Sequence, residues 1–174
     1  MQEIFILRHA QAEDLKDNQT DFDRVLTEEG KIRTKKLGLF FNSIEEGVDV
    51  VLSSPYLRAK ETASIFVSTL EKKPELKFVD FLSCGSSIKE IAKGLLPYSS
   101  FNKVLLVGHA PDLEVFLGKL VGAERITLKK GAIAKVILDN SIELSGNLVL
   151  LITSKIIKKF KLKEKNKDLN LLKS

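Results

Sequence analysis

The sequence predicts an α/β protein built as a three-layer α/β/α sandwich, with a mostly parallel sheet and one antiparallel edge. Apolar strand-like runs alternate with segments of helical periodicity along the 174 residues, which is the order typical of α/β folds. Three of the runs are almost wholly apolar, as in strands that are buried on both faces. The last two runs have no helix between them, so we expect them to pair antiparallel at one edge.

Six segments have the composition of strands, and four helices are predicted between them. The first helix is capped by Thr27, and the second has Ser54 as its N-cap and Pro55 as its first residue. The third covers residues 88–95 and the fourth begins near Pro111. Phenylalanines at helical spacing are assigned to the core. The predicted strands are 3–7, 48–52, 77–81, 103–107, 133–138 and 148–152, and the core phenylalanines are Phe40, Phe41, Phe66 and Phe116.

Length and composition indicate one soluble domain. A chain of 174 residues can bury a core without metal or disulfide staples, and Cys84 is its one cysteine, expected to be a small packed residue. The apolar runs are far shorter than the roughly 20 residues of a membrane span, and the first predicted strand leaves no room for a signal peptide. We therefore expect a cytoplasmic protein.

The net charge of +5 is unevenly distributed. Residues 155–174 contain eight lysines and two acids, a net charge of +6, whereas residues 1–154 contain 20 basic and 21 acidic residues, a net charge of −1. We predict a domain over residues 1–157 and a lysine-rich extension over 158–174. Such a run is usually a solvated segment, and the alternative is a tail that binds polyanions. Nucleic acid is not the expected partner, because the body is neutral.

The chain has only two histidines, and each follows a predicted buried strand. His9 follows the first strand and His109 follows the fourth. In open α/β sheets, ligands bind at the carboxyl ends of the strands, so the two imidazoles are expected at one functional edge. A two-histidine metal site would need a third ligand, and no residue has the spacing for one.

Two arginines belong to the same edge. Arg8 precedes His9, and Arg58 falls in the first turn of the second helix. Arginines bind phosphate oxygens through charge-assisted hydrogen bonds, and helix N-termini add backbone N–H groups. A neutral histidine among such cations is a nucleophile for phosphorus, while the other groups stabilise charge on the transferring phosphoryl group. This chemistry requires neither a metal nor a cofactor.

Three segments, in order, resemble the histidine phosphatase superfamily, whose fold is the phosphoglycerate mutase-like fold. They are Leu7-Arg8-His9-Ala10, residues 53–62 (SSPYLRAKET) and Val107-Gly108-His109. The small size of the chain and residues 23–30 (DRVLTEEG) add a likeness to SixA-type phosphohistidine phosphatases. The resemblance covers about residues 1–157. It implies that His9 is phosphorylated during turnover and that Arg8, Arg58 and His109 bind the phosphoryl group.

The resemblance also implies that Arg24 is a further phosphate-binding residue, although Arg24 could equally pair with Asp21 or Asp23 on the surface. The chain departs from the family pattern at Ala10, where glycine is usual. It also lacks an acid directly after His109. Asp80 is our first candidate for the general acid, with Asp112 and Glu13 behind it.

We therefore predict a metal-independent phosphatase that acts on phosphohistidine in a protein through a phospho-His9 intermediate. Imidazole leaves phosphorus more easily than an alkoxide does, so this substrate asks less of a general acid. The short segment after the second helix leaves no room for the cap of larger relatives, which makes a mutase less favoured. The alternatives are a phosphatase for small phosphate esters and a non-catalytic protein that binds phosphate or polyanions through its basic tail.

Overall fold

A computed structural model of the chain describes residues 2–140 and 143–160. One six-stranded sheet has the order β3-β2-β4-β1-β5-β6. The first four strands of this order are parallel to one another, and β5 and β6 are antiparallel to their neighbours. The strands are β1 (Glu3–Arg8), β2 (Val50–Ser53), β3 (Glu75–Phe78), β4 (Lys103–Gly108), β5 (Ile133–Asn140) and β6 (Ser145–Ile152).

Five helices form the two outer layers. On one face of the sheet, the apolar cluster beneath α1, α2 and α5 includes Phe41, Phe66 and Ile157. On the other face, the apolar cluster beneath α3 and α4 includes Ile91 and Phe116. The helices are α1 (Glu28–Asn42), α2 (Leu57–Thr69), α3 (Ile88–Leu95), α4 (Asp112–Leu120) and α5 (Ser154–Lys159).

The predicted three-layer fold with an antiparallel edge is confirmed, including the Thr27 cap, whose hydroxyl accepts from the Gly30 N–H. Several predicted strand boundaries were wrong. The strand predicted at 48–52 is β2, which begins only at Val50. The strand predicted at 77–81 is β3, which ends at Phe78 and is followed by a one-turn 3-10 helix, Asp80–Leu82. The hairpin strands reach further than predicted, because pairing continues to Asn140 and resumes at Ser145.

At the end of the described chain, Ile157 is buried and the ring of Phe160 lies 4.9 Å from that of Phe40. Residues 161–174, most of the lysine-rich extension, lie outside the described residues. The division at residue 157 therefore stays a prediction. Within the described chain, no helix has both the length and the apolar composition that crossing a membrane requires.

Candidate phosphoryl-transfer site

Parallel pairing of β1 with β4 brings the two histidines together. Arg8 is in register with Gly108, and the His9 N–H donates to the Gly108 carbonyl at 2.9 Å. Both side chains are buried, and their ring centroids are 5.2 Å apart. Adjacent strand ends thus place two imidazoles side by side at the carboxyl edge of the sheet.

The His9 ring is held in one protonation state by its own backbone. Its Nδ1 lies 2.7 Å from the Ala10 carbonyl, which can only accept, so Nδ1 carries the proton. The other nitrogen, Nε2, is therefore unprotonated, and its lone pair accepts a hydrogen bond from Arg58 Nε at 3.3 Å. Burial lowers the pKa of His9 to about 4; the Ala10 carbonyl opposes this shift, and the charges of Arg58, Arg8 and Lys130 add to it.

Alanine fits at the position after His9, where the sequence departs from the expected family pattern. Among the described residues, Asn18 and Leu144 are the non-glycine residues with positive φ, so Ala10 has a backbone that any residue adopts. The Ala10 N–H donates to the Thr62 hydroxyl at 3.1 Å, and this hydroxyl donates to the Arg58 carbonyl at 2.7 Å. Helix α2 therefore fixes the segment that follows His9.

The His109 ring contacts the segment before α2. Its Nε2 lies 2.8 Å from the Ser54 hydroxyl, which also accepts from the Tyr56 N–H at 3.3 Å. The His109 Nδ1 is buried without a protein partner in the described chain. Burial, followed by the charges of His9, Arg58 and Arg8, lowers the pKa of His109 to about 3.

The predicted N-cap of the second helix was wrong. Helix α2 begins at Leu57, with Tyr56 as its N-cap, and Ser54 and Pro55 precede it. The Ser54 hydroxyl is buried against His109 instead of capping the helix as predicted. Residues 54–56 therefore form a short connection between the end of β2 and the start of α2.

Arg58 joins several parts of the site. Its Nη1 donates to the Asp21 carbonyl at 2.6 Å, and its Nη2 donates to the Asp21 carboxylate at 2.9 Å and to Cys84 Sγ at 3.2 Å. Its guanidinium lies 5.0 Å from the centroid of the Tyr56 ring. With the bond to His9, four of the five N–H groups of this buried side chain are engaged.

Arg8, the last residue of β1, is held by a different part of the chain from Arg58. Its Nη1 donates to the Leu128 carbonyl at 2.7 Å, and its Nε is buried without a partner in the described chain. Burial lowers the pKa of Arg8, and the nearby charge of Glu114 opposes this shift. The guanidinium stays charged, because an arginine does not lose its proton in proteins.

The remaining predicted residues lie apart from the histidines. Arg24 Nη1 pairs with the Asp21 carboxylate at 3.0 Å, which is the surface pairing that the sequence left open. Asp80 is exposed at the start of the 3-10 helix, and its carboxylate has no hydrogen bond or ion pair within the described chain. The Asp112 carboxylate accepts from the Gly85 N–H at 2.7 Å. The structure therefore does not bring Asp80 into contact with the histidines.

Sequence reasoning missed two residues that contact Arg58. Asp21 was considered only as a surface partner of Arg24, yet it binds both arginines. Cys84 was wrongly expected to be a small packed residue, because the residue as a whole is exposed beside Arg58. Its thiol, which faces Arg58, is half-buried, and this partial burial raises the pKa of the cysteine. The Asp80–Leu82 turn brings Cys84 close to Arg58. The hydrophobic pattern of the sequence does not predict such a turn.

The lowered pKa values of the histidines predict a loss of stability in acid. In the unfolded chain, histidine has a pKa of about 6.5, so both histidines take up protons below this pH. In the folded protein, His9 and His109 stay neutral until the pH approaches their lowered pKa values of about 4 and about 3. The free energy of unfolding should therefore decrease as the pH is lowered, by up to about 1.4 kcal/mol per pH unit for each histidine. Urea denaturation at several values between pH 7 and 4.5 measures this slope.

The double variant His9→Asn, His109→Asn is the matched control for this slope. It should be less sensitive to pH over the same range, because asparagine does not titrate. Equal slopes for the two proteins would contradict the lowered pKa values.

Comparison with known proteins agrees with this geometry. The model of the histidine phosphatase superfamily (branch 1) matches residues 4–92, just over half of the chain. An uncharacterized protein of Picosynechococcus sp. is 33% identical over 113 residues, which is 64% of this chain and 68% of that protein.

Solved structures match the fold over most of the chain. The protein histidine phosphatase SixA complexed with tungstate has a TM-score of 0.80 and 23% identity, and the match covers 89% of this chain and 99% of that one. A structure described as SixA from Agrobacterium tumefaciens has a TM-score of 0.75 and 18% identity, with 87% and 98% covered. The alpha-ribazole phosphatase of Shigella flexneri has a TM-score of 0.68 and 14% identity, with 87% and 96% covered.

Two histidines and two arginines lie at the carboxyl edge of this sheet, a set of groups with the chemistry to bind a phosphoryl group. The chain belongs to the histidine phosphatase superfamily, and its fold is that of the SixA structures. Family and fold together support a phosphatase.

Proposed function

We propose that the protein removes the phosphoryl group from a phosphohistidine on a protein, through a covalent intermediate on His9. The observation that carries the proposal is the state of His9. Its Nε2 is unprotonated, and the pKa of His9 is lowered to about 4. The Arg58 Nε–H group that donates to this lone pair is released to the phosphoryl oxygens when Nε2 attacks phosphorus. A neutral imidazole beside a cationic anion-binding group is a nucleophile prepared for phosphorus.

In the first step, the lone pair of His9 Nε2 forms a bond to phosphorus and the bond from phosphorus to the leaving nitrogen breaks. The leaving imidazole keeps the electron pair and becomes neutral by taking a proton from solvent. In the second step, a water oxygen attacks phosphorus, and the electron pair of the P–N bond returns to His9. Inorganic phosphate and a proton are released.

The surrounding groups have defined roles in this proposal. Arg8 and Arg58 bind the phosphoryl oxygens and offset their charge. The unpartnered Nδ1 of His109 donates to a third oxygen, because the Ser54 hydroxyl can occupy Nε2 with its own hydrogen. Arg24, which shares Asp21 with Arg58, is an outer contributor to the same positive field.

Two observations favour phosphohistidine over an alkyl ester. Within the described chain, no carboxylate contacts either histidine, so the geometry provides no evident acid for a leaving alkoxide. Only residues 70–74 connect α2 to β3, which is too short for an inserted cap. An uncapped site can receive a side chain that projects from a protein. Phosphatases for small esters remain the second candidate, because the alpha-ribazole phosphatase shares the fold.

A trapping experiment tests the proposal. The protein is mixed with phosphoramidate, or with a protein phosphorylated on histidine, and quenched in alkali, and the labelled residue is found by mass spectrometry. We expect an acid-labile, alkali-stable phosphoryl group on His9, and hydrolysis of these donors at least about 100-fold faster than of an alkyl phosphate. If neither donor labels the protein and neither releases phosphate, the phosphohistidine assignment is overturned.

A further inference from the structure

A basic cleft lies beside the phosphoryl-transfer site. It has a volume of about 400 Å³ and shares Arg8 and Ala10 with that site, but His9, Arg58 and His109 do not line it. We call it the basic cleft. The residues that line it include the apolar Leu7 and Leu37. Its cationic lining residues are Arg8, Arg33, Lys129 and Lys130.

The segment that carries the two lysines is anchored on both sides. The buried Glu114 of α4 accepts from the Leu128 N–H at 2.9 Å through its carboxylate. The Gly131 N–H lies 3.1 Å from both the Arg8 and the His9 carbonyl. Lys129 and Lys130 are therefore held next to His9 by the backbone, and the charge of Lys130 is close enough to lower the pKa of His9.

The cleft carries more positive than negative charge. Arg33 pairs with Glu29, and the charge of Glu114 acts on Arg8. Lys129 and Lys130 are exposed, and neither forms an ion pair with a residue of the described chain. Among the described residues, no acidic side chain lines the cleft. Two unpaired cations in this lining match a group with an anionic end.

We propose that the basic cleft binds acidic side chains that flank the phosphohistidine of the substrate protein. This inference rests on the proposed function, because it assigns a docking site to that substrate. The shared Arg8 and Ala10 place the cleft next to the phosphoryl group. Its volume is at the lower end of the roughly 300–1,000 Å³ of ligand pockets, enough for one or two side chains. The lysine-rich segment 161–174, with five lysines against two acids, carries the wrong charge to fill it.

Two synthetic peptides, each phosphorylated on one histidine with phosphoramidate, test this specificity. They are identical except that one carries glutamates on both sides of the histidine and the other carries glutamines. We expect kcat/KM to be about tenfold higher for the glutamate peptide, mainly through KM, and the advantage to shrink as salt is raised. Equal kcat/KM values for the two peptides would overturn the proposal.

The variant Lys129→Glu locates the effect. It should remove the preference for the glutamate peptide while leaving hydrolysis of phosphoramidate unchanged, because phosphoramidate has no flanking group. Lys130 is unsuitable for this purpose, since its charge acts on His9. Lys119→Glu makes the same charge change at an exposed position of helix α4 that does not line the cleft, and should keep the preference.

The possible failures are distinguishable. If Lys129→Glu keeps the preference, or loses it no more than Lys119→Glu does, the cleft is not the docking site. If Lys129→Glu loses activity equally on phosphoramidate, its effect is on catalysis and the docking assignment is wrong. If wild-type protein hydrolyses none of the phosphohistidine donors, the proposed function itself fails and the inference fails with it.

Discussion

Replacement of His9 by alanine is expected to lower the turnover of every phosphoryl donor by about four orders of magnitude or more. The substitution removes the nucleophile itself, and the remaining cations can bind a phosphoryl group without forming a covalent intermediate. The fold should survive, because β1 keeps its pairing with β4 and β5 through the backbone. Phosphate release measures turnover, and circular dichroism with thermal unfolding checks the fold.

His109→Ala is the matched comparison for His9→Ala. The two rings are neighbours and both are buried, but only His9 is proposed to form a bond to phosphorus. His109→Ala should slow turnover by about 100-fold, in the range measured for the loss of one transition-state donor, and should still allow the label on His9. A folded His9→Ala protein that keeps more than about one per cent of wild-type turnover would rule out the covalent route through His9.

Replacement of Arg58 by glutamine is expected to lower kcat/KM by about three orders of magnitude. Arg58 is the cation in contact with His9 Nε2, where the phosphoryl group must arrive, and arginines at such positions contribute about 10³-fold or more. Steady-state kinetics with phosphoramidate measures the loss, because this donor probes the phosphoryl site alone.

Arg24→Gln is the matched control for Arg58→Gln, since both arginines bind the Asp21 carboxylate. Arg24 has no contact with His9 in the structure, so its loss should cost no more than about tenfold. A larger loss for Arg24 than for Arg58 would mean that the phosphoryl group binds on the Arg24 side of Asp21, and the site would have to be redrawn.

The sequence predicts the fold and the site where short-range patterns control both. Apolar runs locate the strands that end at His9 and His109, and parallel pairing then fixes their distance. Thr27 marks the start of α1 because its hydroxyl satisfies a backbone N–H that the helix leaves free. Arg58 follows from the same reasoning, as a first-turn residue of the helix after β2.

The path of the loops is the part that the sequence does not predict. Asp21 and Cys84 reach Arg58 from two loops that have no periodicity, so nothing in their spacing reveals the contact. Asp80 was chosen for its position near a strand end, but β3 stops two residues earlier and the chain turns there. Ser54 resembles a helix cap, yet the nearby imidazole of His109 takes its hydroxyl. For Ser54, a long-range contact overrides a local preference.

The carboxylate of Asp21 gives Arg58 an anion before any substrate arrives. Since four of the five N–H groups of Arg58 are already engaged, a phosphoryl oxygen can gain more than one of them only by taking a bond from His9, Asp21 or Cys84. Where the phosphoryl group displaces the Asp21 carboxylate, one anion is exchanged for another. In the proposed reaction, the carboxylate would reclaim its arginine as inorganic phosphate leaves, and this internal competitor would assist product release.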